Sequence, residues 1–365
     1  RRAASATIRL RGRAESIGSS RRDMRGQGHQ IFVDELGRFA AGAAEARMTA
    51  IAENAAAPLR VAVRGRNGVG CSTVAHALDR GGTPSGIRAF ESDGVDVASP
   101  DLEADLVVYV TTEVIKPEDR EAIAGTRLPV LVVLNKADLA GFAGDGPLVA
   151  ARARCARFAG LPGLVGVPME PMIGLLAALD DLPHPVWAAL RGVAADCQVS
   201  IEDRQRLLST FDLFGTALAV AAVRRGSTPA QLRALLRRVS CVDAVVAKIK
   251  ALGAEVRYRR VLDAVAALEA LAVPGDRWRI SEFLAHDDTV VARMAAAADL
   301  VEADIGSVGE GSDPGAHLSQ ALQWQRYSSG SPVSDLHRAC AADITRGSLR
   351  LWSRAQQVGE LGEPR

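Results

Sequence analysis

Arg60-Val61-Ala62-Val63-Arg64-Gly65-Arg66-Asn67-Gly68-Val69-Gly70-Cys71-Ser72-Thr73 decides how the rest of the chain is read. Val61 and Val63 are β-branched and favour a strand. Gly65, Gly68 and Gly70 then turn the chain, and Ser72 and Thr73 open a helical pattern that continues through Leu78. Strand, glycine-rich turn and helix together form the context that a phosphate-binding loop requires. Gly65 and Gly70 occupy the two glycine positions of Gly-x4-Gly-Lys-Ser/Thr, and Ser72 occupies the hydroxyl position. Cys71 stands where the lysine belongs. The phosphate cradle predicted here comprises Gly65, Asn67, Gly68, Val69, Gly70, Cys71, Ser72 and Thr73. Inward-facing amides and the positive end of a helix attract an anion without the lysine, but the lysine's own charge is lost. The plain alternative is a tight strand-to-helix turn that holds no ligand.

A second stretch favours the ligand. Pro129-Val130-Leu131-Val132-Val133-Leu134 is an apolar strand that ends in Asn135-Lys136-Ala137-Asp138, some way downstream of the glycine loop. The pair of motifs resembles the translation-factor-related class of P-loop GTPases. The resemblance implies GTP or GDP with Mg²⁺ as ligands. It implies that Asp138 accepts the two parallel guanine N–H donors, that Asn135 braces the loop, and that the Lys136 stem covers the base. A carboxylate facing two donors suits that chemistry, and adenine lacks the donors. The chain has four lysines among 44 Lys and Arg residues, so a lysine at position 136 is unlike its arginine-rich background.

The resemblance also implies a metal set of Ser72, a switch threonine at Thr83, and Asp96 as the acid of Asp-x-x-Gly. The glycine of that last motif is missing, since Asp96 is followed by Val97-Ala98-Ser99. Where the family has Ser-Ala-x beside the base, this chain has Pro168-Met169-Glu170, which leaves the Met169 backbone to support the base. Without the P-loop lysine or a water-positioning side chain, weak or absent hydrolysis is expected.

Length and composition set the frame. A chain of 365 residues exceeds one core and suggests two domains. Aromatic residues make up 4%, so cores must be built from Ala, Val and Leu, a mixture that favours helices. A net charge of +1 offers no electrostatic reason to expect nucleic acid. The charge is uneven: before Met24, seven arginines face Glu15 and Asp23. Residues 1–28 read as a disordered leader or a misassigned start, and they lack the apolar core of a secretory signal. Five scattered cysteines with no Cys-x-x-Cys pair suggest a reducing cytoplasm. No run of 18 apolar residues exists, and the longest apolar stretch, Leu213–Val223, reads as a buried helix.

In chain order, residues 29–56 carry one helical pattern. Ile87–Glu91 and Val95–Val97 flank Asp93-Gly94, a hairpin signal that would form an antiparallel edge pair. Leu106–Val110 is a buried strand, and Pro117 begins a helix with Glu118 and Asp119 at its positive end. A helix around Leu148–Phe158 precedes a last strand at Leu164–Val167. From Pro185 onward the strand signal stops. Thr228, Pro229 and Gln231 form a capping-box start for one helix that runs to Leu252 and ends at Gly253. Further helices span Tyr258–Leu271, Ile280–Val301, Leu318–Tyr327 and Val333–Trp352. Arg257-Tyr258-Arg259-Arg260 reads as a solvated helix face.

These readings predict an α/β P-loop domain over residues 58–180 with a mostly parallel sheet flanked by helices. An all-α helical bundle over residues 185–355 and a tail, 356–365, follow it. Helices on both sides of a G domain are similar to the layout of dynamin-like GTPases, including the immunity-related branch, where some members carry Met at the lysine position. The expected function is guanine-nucleotide binding that controls a helical domain. That domain would meet a protein partner or a second copy, and peripheral membrane contact is compatible with the layout. The rival is a catalytically inactive G-domain scaffold that joins proteins.

Overall fold

The computed structural model describes residues 27–43, 45–82, 86–92, 104–141, 146–271, 277–305, 314–330 and 334–360. The chain divides into two compact units, Pro58–Gly253 and a second formed by Arg1–Ala57 with Ala254–Arg365. The first unit is thus one continuous segment set between two parts of the second. Its ends lie together, because a Cβ on Gly253 would strike the Leu59 side chain.

The α/β unit contains β1 (Leu59–Gly65), α3 (Cys71–Gly82), β2 (Ile87–Glu91), β3 (Leu106–Thr111), α4 (Pro117–Ala124), β4 (Val130–Leu134), α5 (Pro147–Ala159) and β5 (Met169–Pro171). The strands form one sheet in the order β2-β1-β3-β4-β5, and every pairing is parallel. β3 is buried throughout and reads Leu-Val-Val-Tyr-Val-Thr, as expected of a central strand covered on both faces.

β2 pairs in parallel with β1, Val61 opposite Ala89; the antiparallel arm expected beside it, 95–97, lies outside the described residues. One strand expectation changes. The last strand is Met169–Pro171 and not Leu164–Val167. Gly163 and Gly166 both take φ +85°, and the Leu164 and Val167 amides bond back to Leu161 and Leu164, so this segment coils in successive turns. Leu164 is apolar because it plugs a cluster with Tyr109, Ile123 and Val132.

Five helices follow β5 within this unit: α6 (Gly174–Ala177), α7 (His184–Ala194), α8 (Ile201–Arg224), α9 (Pro229–Ser240) and α10 (Val242–Leu252). The expected bundle boundary near Pro185 is therefore not where the chain divides. α10 packs on α3 and β4, and the Ile173 amide donates to the Ser240 carbonyl, so these helices complete the core beside the sheet. The capping box of Thr228 and Gln231 forms as expected. The helix it starts breaks at Cys241, where φ 62° and ψ 12° place a left-handed residue between α9 and α10. Gly253 is right-handed at φ −83°, and the chain passes directly into the next helix. Among the described residues, α8 is the one helix with the length and hydropathy to cross a membrane. Leu207, Phe211 and Ala219 on one side of it join the core.

The second unit holds α1 (Gly28–Ala43), α2 (Ala46–Ala56), α11 (Ala254–Leu271), α12 (Arg277–Ala285), α13 (Asp287–Ile305), α14 (Pro314–Ser329) and α15 (Asp335–Glu360). The single N-terminal helix expected over 29–56 is two helices, with Glu45 extended before the second. Phe32 and Leu36 of α1 are fully buried in a core with Tyr258, Leu300 and Ile344, and Phe39 stacks on Phe283 at 4.2 Å. The Arg257–Arg260 cluster is half interior. Arg257 and Tyr258 are buried, Arg259 pairs with Glu255, and Arg260 donates to the Ala57 carbonyl at 2.7 Å.

His29 ties α1 to α2, its Nε2 lying 2.9 Å from the Ala55 carbonyl oxygen. Burial and the Arg257 guanidinium lower its pKa to about 4. The folded state therefore keeps the ring neutral, whereas an unfolded chain protonates it below about pH 6.5. The sign follows: this contribution to stability is complete above pH 6.5 and is lost as pH falls from there to about 4. It amounts to about 3 kcal/mol. We predict that stability in denaturant titrations falls more steeply on acidification for the native chain than for His29→Gln. Parallel pH profiles would contradict this assignment.

Candidate functional site

β1 delivers Gly65 to the carboxyl edge of the sheet, and the chain turns through residues 66–70 into α3. A Cβ on Gly65 would lie 2.5 Å from the Val110 carbonyl oxygen, which records how closely β3 approaches. Gly70 takes φ +91°, and a Cβ there would lie 2.7 Å from Nδ2 of Asn135. Two of the pattern's glycines are thus required by the local geometry. The Val74 amide bonds to the Gly70 carbonyl and begins the helix. The first-turn amides of α3 have no intrahelical acceptor, which makes this end favourable to an anion.

The second motif closes onto this loop. Asn135 is buried at the end of β4. Its Nδ2 donates to the Val69 carbonyl at 2.9 Å, and its Oδ1 accepts from the Gly174 amide at 2.9 Å. Lys136 adopts a left-handed conformation, φ 53° and ψ 44°, and its Nζ donates to the Gly68 carbonyl at 3.0 Å. Asp138 lies buried in the 3-10 turn Ala137–Ala140. Three connections, from positions 66 to 68 residues apart and from 39 apart, therefore converge on one side chain and its neighbour. A cavity of about 130 Å³ opens beside them, lined in part by Asn135, Lys136, Thr112, Glu113 and Arg154.

Burial raises the pKa of Asp138. Its own amide opposes the shift, the Asp212 carboxylate adds to it, and Lys136 subtracts from it. Burial also pushes the Cys71 thiol up to about 11, with Glu91 adding and the backbone amide subtracting. At neutral pH Cys71 is therefore a neutral thiol at the position that the Gly-x4-Gly-Lys-Ser/Thr pattern gives to a cation.

The remaining candidates are placed as follows. Ser72 is exposed on the first turn of α3, with Thr73 half-buried behind it, and Asn67 is exposed at the turn. Thr83 and Asp96 lie outside the described residues. Met169 lies within β5 opposite Val132, before the strand ends. The residues that meet the Asn135 loop come later: the Met172 carbonyl accepts from the Ala137 amide, and Gly174 donates to Asn135.

Glu91 and Asp212 escaped the sequence reading, and Arg66 and Asp119 make contacts that it did not foresee. Glu91 ends β2, opposite Val63 of the strand that feeds the loop, and its charge is felt at Cys71. Its signal is the sequence Glu91-Ser92-Asp93-Gly94, an acid three residues before a glycine, within a stretch that reads as a hairpin. Arg66 is committed: its Nε donates to Asp119 at 2.8 Å and its Nη2 to the Val114 carbonyl at 3.3 Å. Asp119 is fully buried and also accepts from the Tyr109 hydroxyl and the Lys116 amide, both at 2.8 Å. Burial, and then the hydrogen bond to Asp119, raise the Tyr109 pKa. Asp212 kinks α8 with φ 59° and ψ −176°, a region nearly reserved for glycine. Phe211 before it joins the core around Ala137 and Leu176, and a Cβ on Gly215 after it would crowd Leu176, so the kink lies against α6.

No family model, curated protein or solved structure matches this chain.

Asn135→Ala would leave the buried Val69 carbonyl and Gly174 amide without their partner. An orphaned buried group costs about 1–3 kcal/mol. We predict destabilisation of at least that size in chemical unfolding, and faster hydrogen exchange at residues 66–70. An unchanged unfolding midpoint would show that the two loops do not depend on Asn135.

Proposed function

We propose that this chain binds guanine nucleotides through a P-loop G domain at residues 58–180, with GTP or GDP and Mg²⁺ as ligands and weak or no intrinsic hydrolysis. The observation that carries the reading is the carboxamide of Asn135, which joins the glycine loop to the Asn-Lys-x-Asp loop. A nucleotide needs phosphate and base held at a fixed separation, and this bond fixes it. In the proposed complex, backbone amides of Gly68 to Thr73 and the α3 dipole receive the phosphates. Asp138 accepts from the guanine donors, and the Lys136 stem, held over the loop by Gly68, covers the base. Backbone at Gly174 takes the supporting place expected of Met169.

Among the described residues, no three His, Cys, Asp or Glu side chains converge to hold a metal. Mg²⁺ seldom needs such a cage; it binds substrate phosphates with one or two protein oxygens. Ser72 and Glu91 are the oxygens that fit that role. In phosphoryl transfer the protein supplies positioning and charge. Cys71 is neutral and Arg66 is committed to Asp119, so the loop is poor in the charge that hydrolysis needs. The same two facts favour the second reading, a catalytically inactive G-domain scaffold that joins proteins. The dynamin-like control of helices, a partner or second copy at the helical domain and a cytoplasmic setting belong to this proposal as well.

Competition between labelled GDP and unlabelled GTP, GDP, ATP and XTP tests it. Guanine nucleotides should win over ATP, and Asp138→Asn should move the preference toward xanthine, because an amide donates where a carboxylate accepts. Cys71→Lys should tighten binding about ten- to a hundredfold, the value of one charge-assisted hydrogen bond, with turnover still low. Equal affinity for ATP and GTP would end the guanine reading, and no binding by either protein would support the scaffold instead.

A further inference from the structure

The helical unit carries a cavity of about 590 Å³ between α11, α12, α13 and α15, far larger than the space beside Asn135 and within the range of small-molecule sites. Four guanidiniums line it: Arg277, Arg293, Arg346 and Arg350. Two acids share the lining, Asp343 and Glu269, so the wall is cationic.

The acids do not neutralise it. Asp343 is buried and already spent: it accepts from the Tyr258 hydroxyl at 3.0 Å and from Arg293 at 2.7 and 3.3 Å. That fork holds Arg293 rigid at the cavity wall. Arg346 reaches Asp343 only at 3.4 Å. Arg350 reaches Asp287 at 3.4 Å, while Asp287 and Asp288 are each engaged by Arg354 at 2.9 Å. Among the described residues Arg277 has no ion-pair partner. Contacts of 3.4 Å lie beyond good hydrogen-bond length, so three guanidiniums keep most of their donors for something else. Arg346 and Arg350 are four apart on α15 and share one face, while Arg277 enters from α12. The half-buried side chains of Leu284 and Val290 add apolar surface to the same wall.

We propose that this cavity binds a phosphomonoester, its head held by Arg277, Arg346 and Arg350 and its apolar body resting on Leu284 and Val290. Three guanidiniums from two helices exceed what the two oxygens of a carboxylate satisfy. A phosphomonoester presents three terminal oxygens and accepts from each fork. The apolar surface separates such a ligand from inorganic phosphate. Free metabolite and lipid headgroup share this chemistry.

Calorimetric titration of the full chain with phenyl phosphate and with inorganic phosphate tests the site. Phenyl phosphate should bind more tightly, and Arg277→Gln/Arg346→Gln should weaken it at least about tenfold. Both side chains are exposed, and Asp343 keeps Arg293 and Tyr258, so the unfolding midpoint should hold. Guanine-nucleotide binding should also be unchanged in the double variant. Flotation with phosphatidylcholine vesicles, with and without phosphatidic acid, separates the sources. Co-flotation that needs both phosphatidic acid and the two arginines assigns a lipid head; phenyl phosphate binding without flotation assigns a free ligand. No heat with either phosphate, or equal affinity in the double variant, would overturn the site.

Discussion

The carboxamide of Asn135 is the constraint on which the α/β unit's arrangement depends. It sits buried at the end of β4, donating to the Val69 carbonyl and accepting from the Gly174 amide. An amide is the one side chain of that size that presents a donor and an acceptor in one plane. Aspartate there would set an acceptor against the Val69 carbonyl, and leucine would orphan both backbone groups. Gly70 complements it, because a Cβ at that position would lie 2.7 Å from the same nitrogen. The loop after β1, the loop after β4 and the turn after β5 are thereby one object, although the sequence separates them widely.

Much of this was legible. Gly65 and Gly70 stand where close backbone approach and a left-handed turn exclude a side chain, and Asn135 to Asp138 follow an apolar strand whose burial was plain from Val-Leu-Val-Val-Leu. The capping chemistry of Thr228 and Gln231 is local, and local chemistry is written in adjacent letters. Other features depend on partners distant in sequence. Leu164 and Val167 look like strand residues because they are apolar, yet two left-handed glycines coil the segment and a remote cluster supplies the reason for Leu164. Cys241 breaks a helix that its neighbours favour, and a left-handed cysteine leaves no pattern in sequence. Asp119 reads as a helix-start acid, and it is one; its grip on Arg66 crosses 53 positions.

The division of the helices escaped for a related reason. Amphipathic periodicity says that a helix has an apolar face but not which core that face meets. α7 to α10 and α11 to α15 read alike, yet Ile249 and Val245 belong to the α/β unit while Tyr258 and Val261 join Phe32 and Leu36. The change falls at Gly253, whose missing side chain leaves room for Leu59. The functional reading rests on this architecture in a specific way. In the proposed function the glycine loop offers its backbone and the end of α3 to phosphates while its cations are absent or committed, a combination that would favour holding a nucleotide over cleaving it.

Hydrogen–deuterium exchange with and without GDP and Mg²⁺ tests the central claim most directly. If Asn135 makes the two motifs one site, GDP should slow exchange at residues 66–73 and at residues 135–138 together, and ATP should do neither. Protection confined to one segment, or none with any nucleotide, would contradict the account.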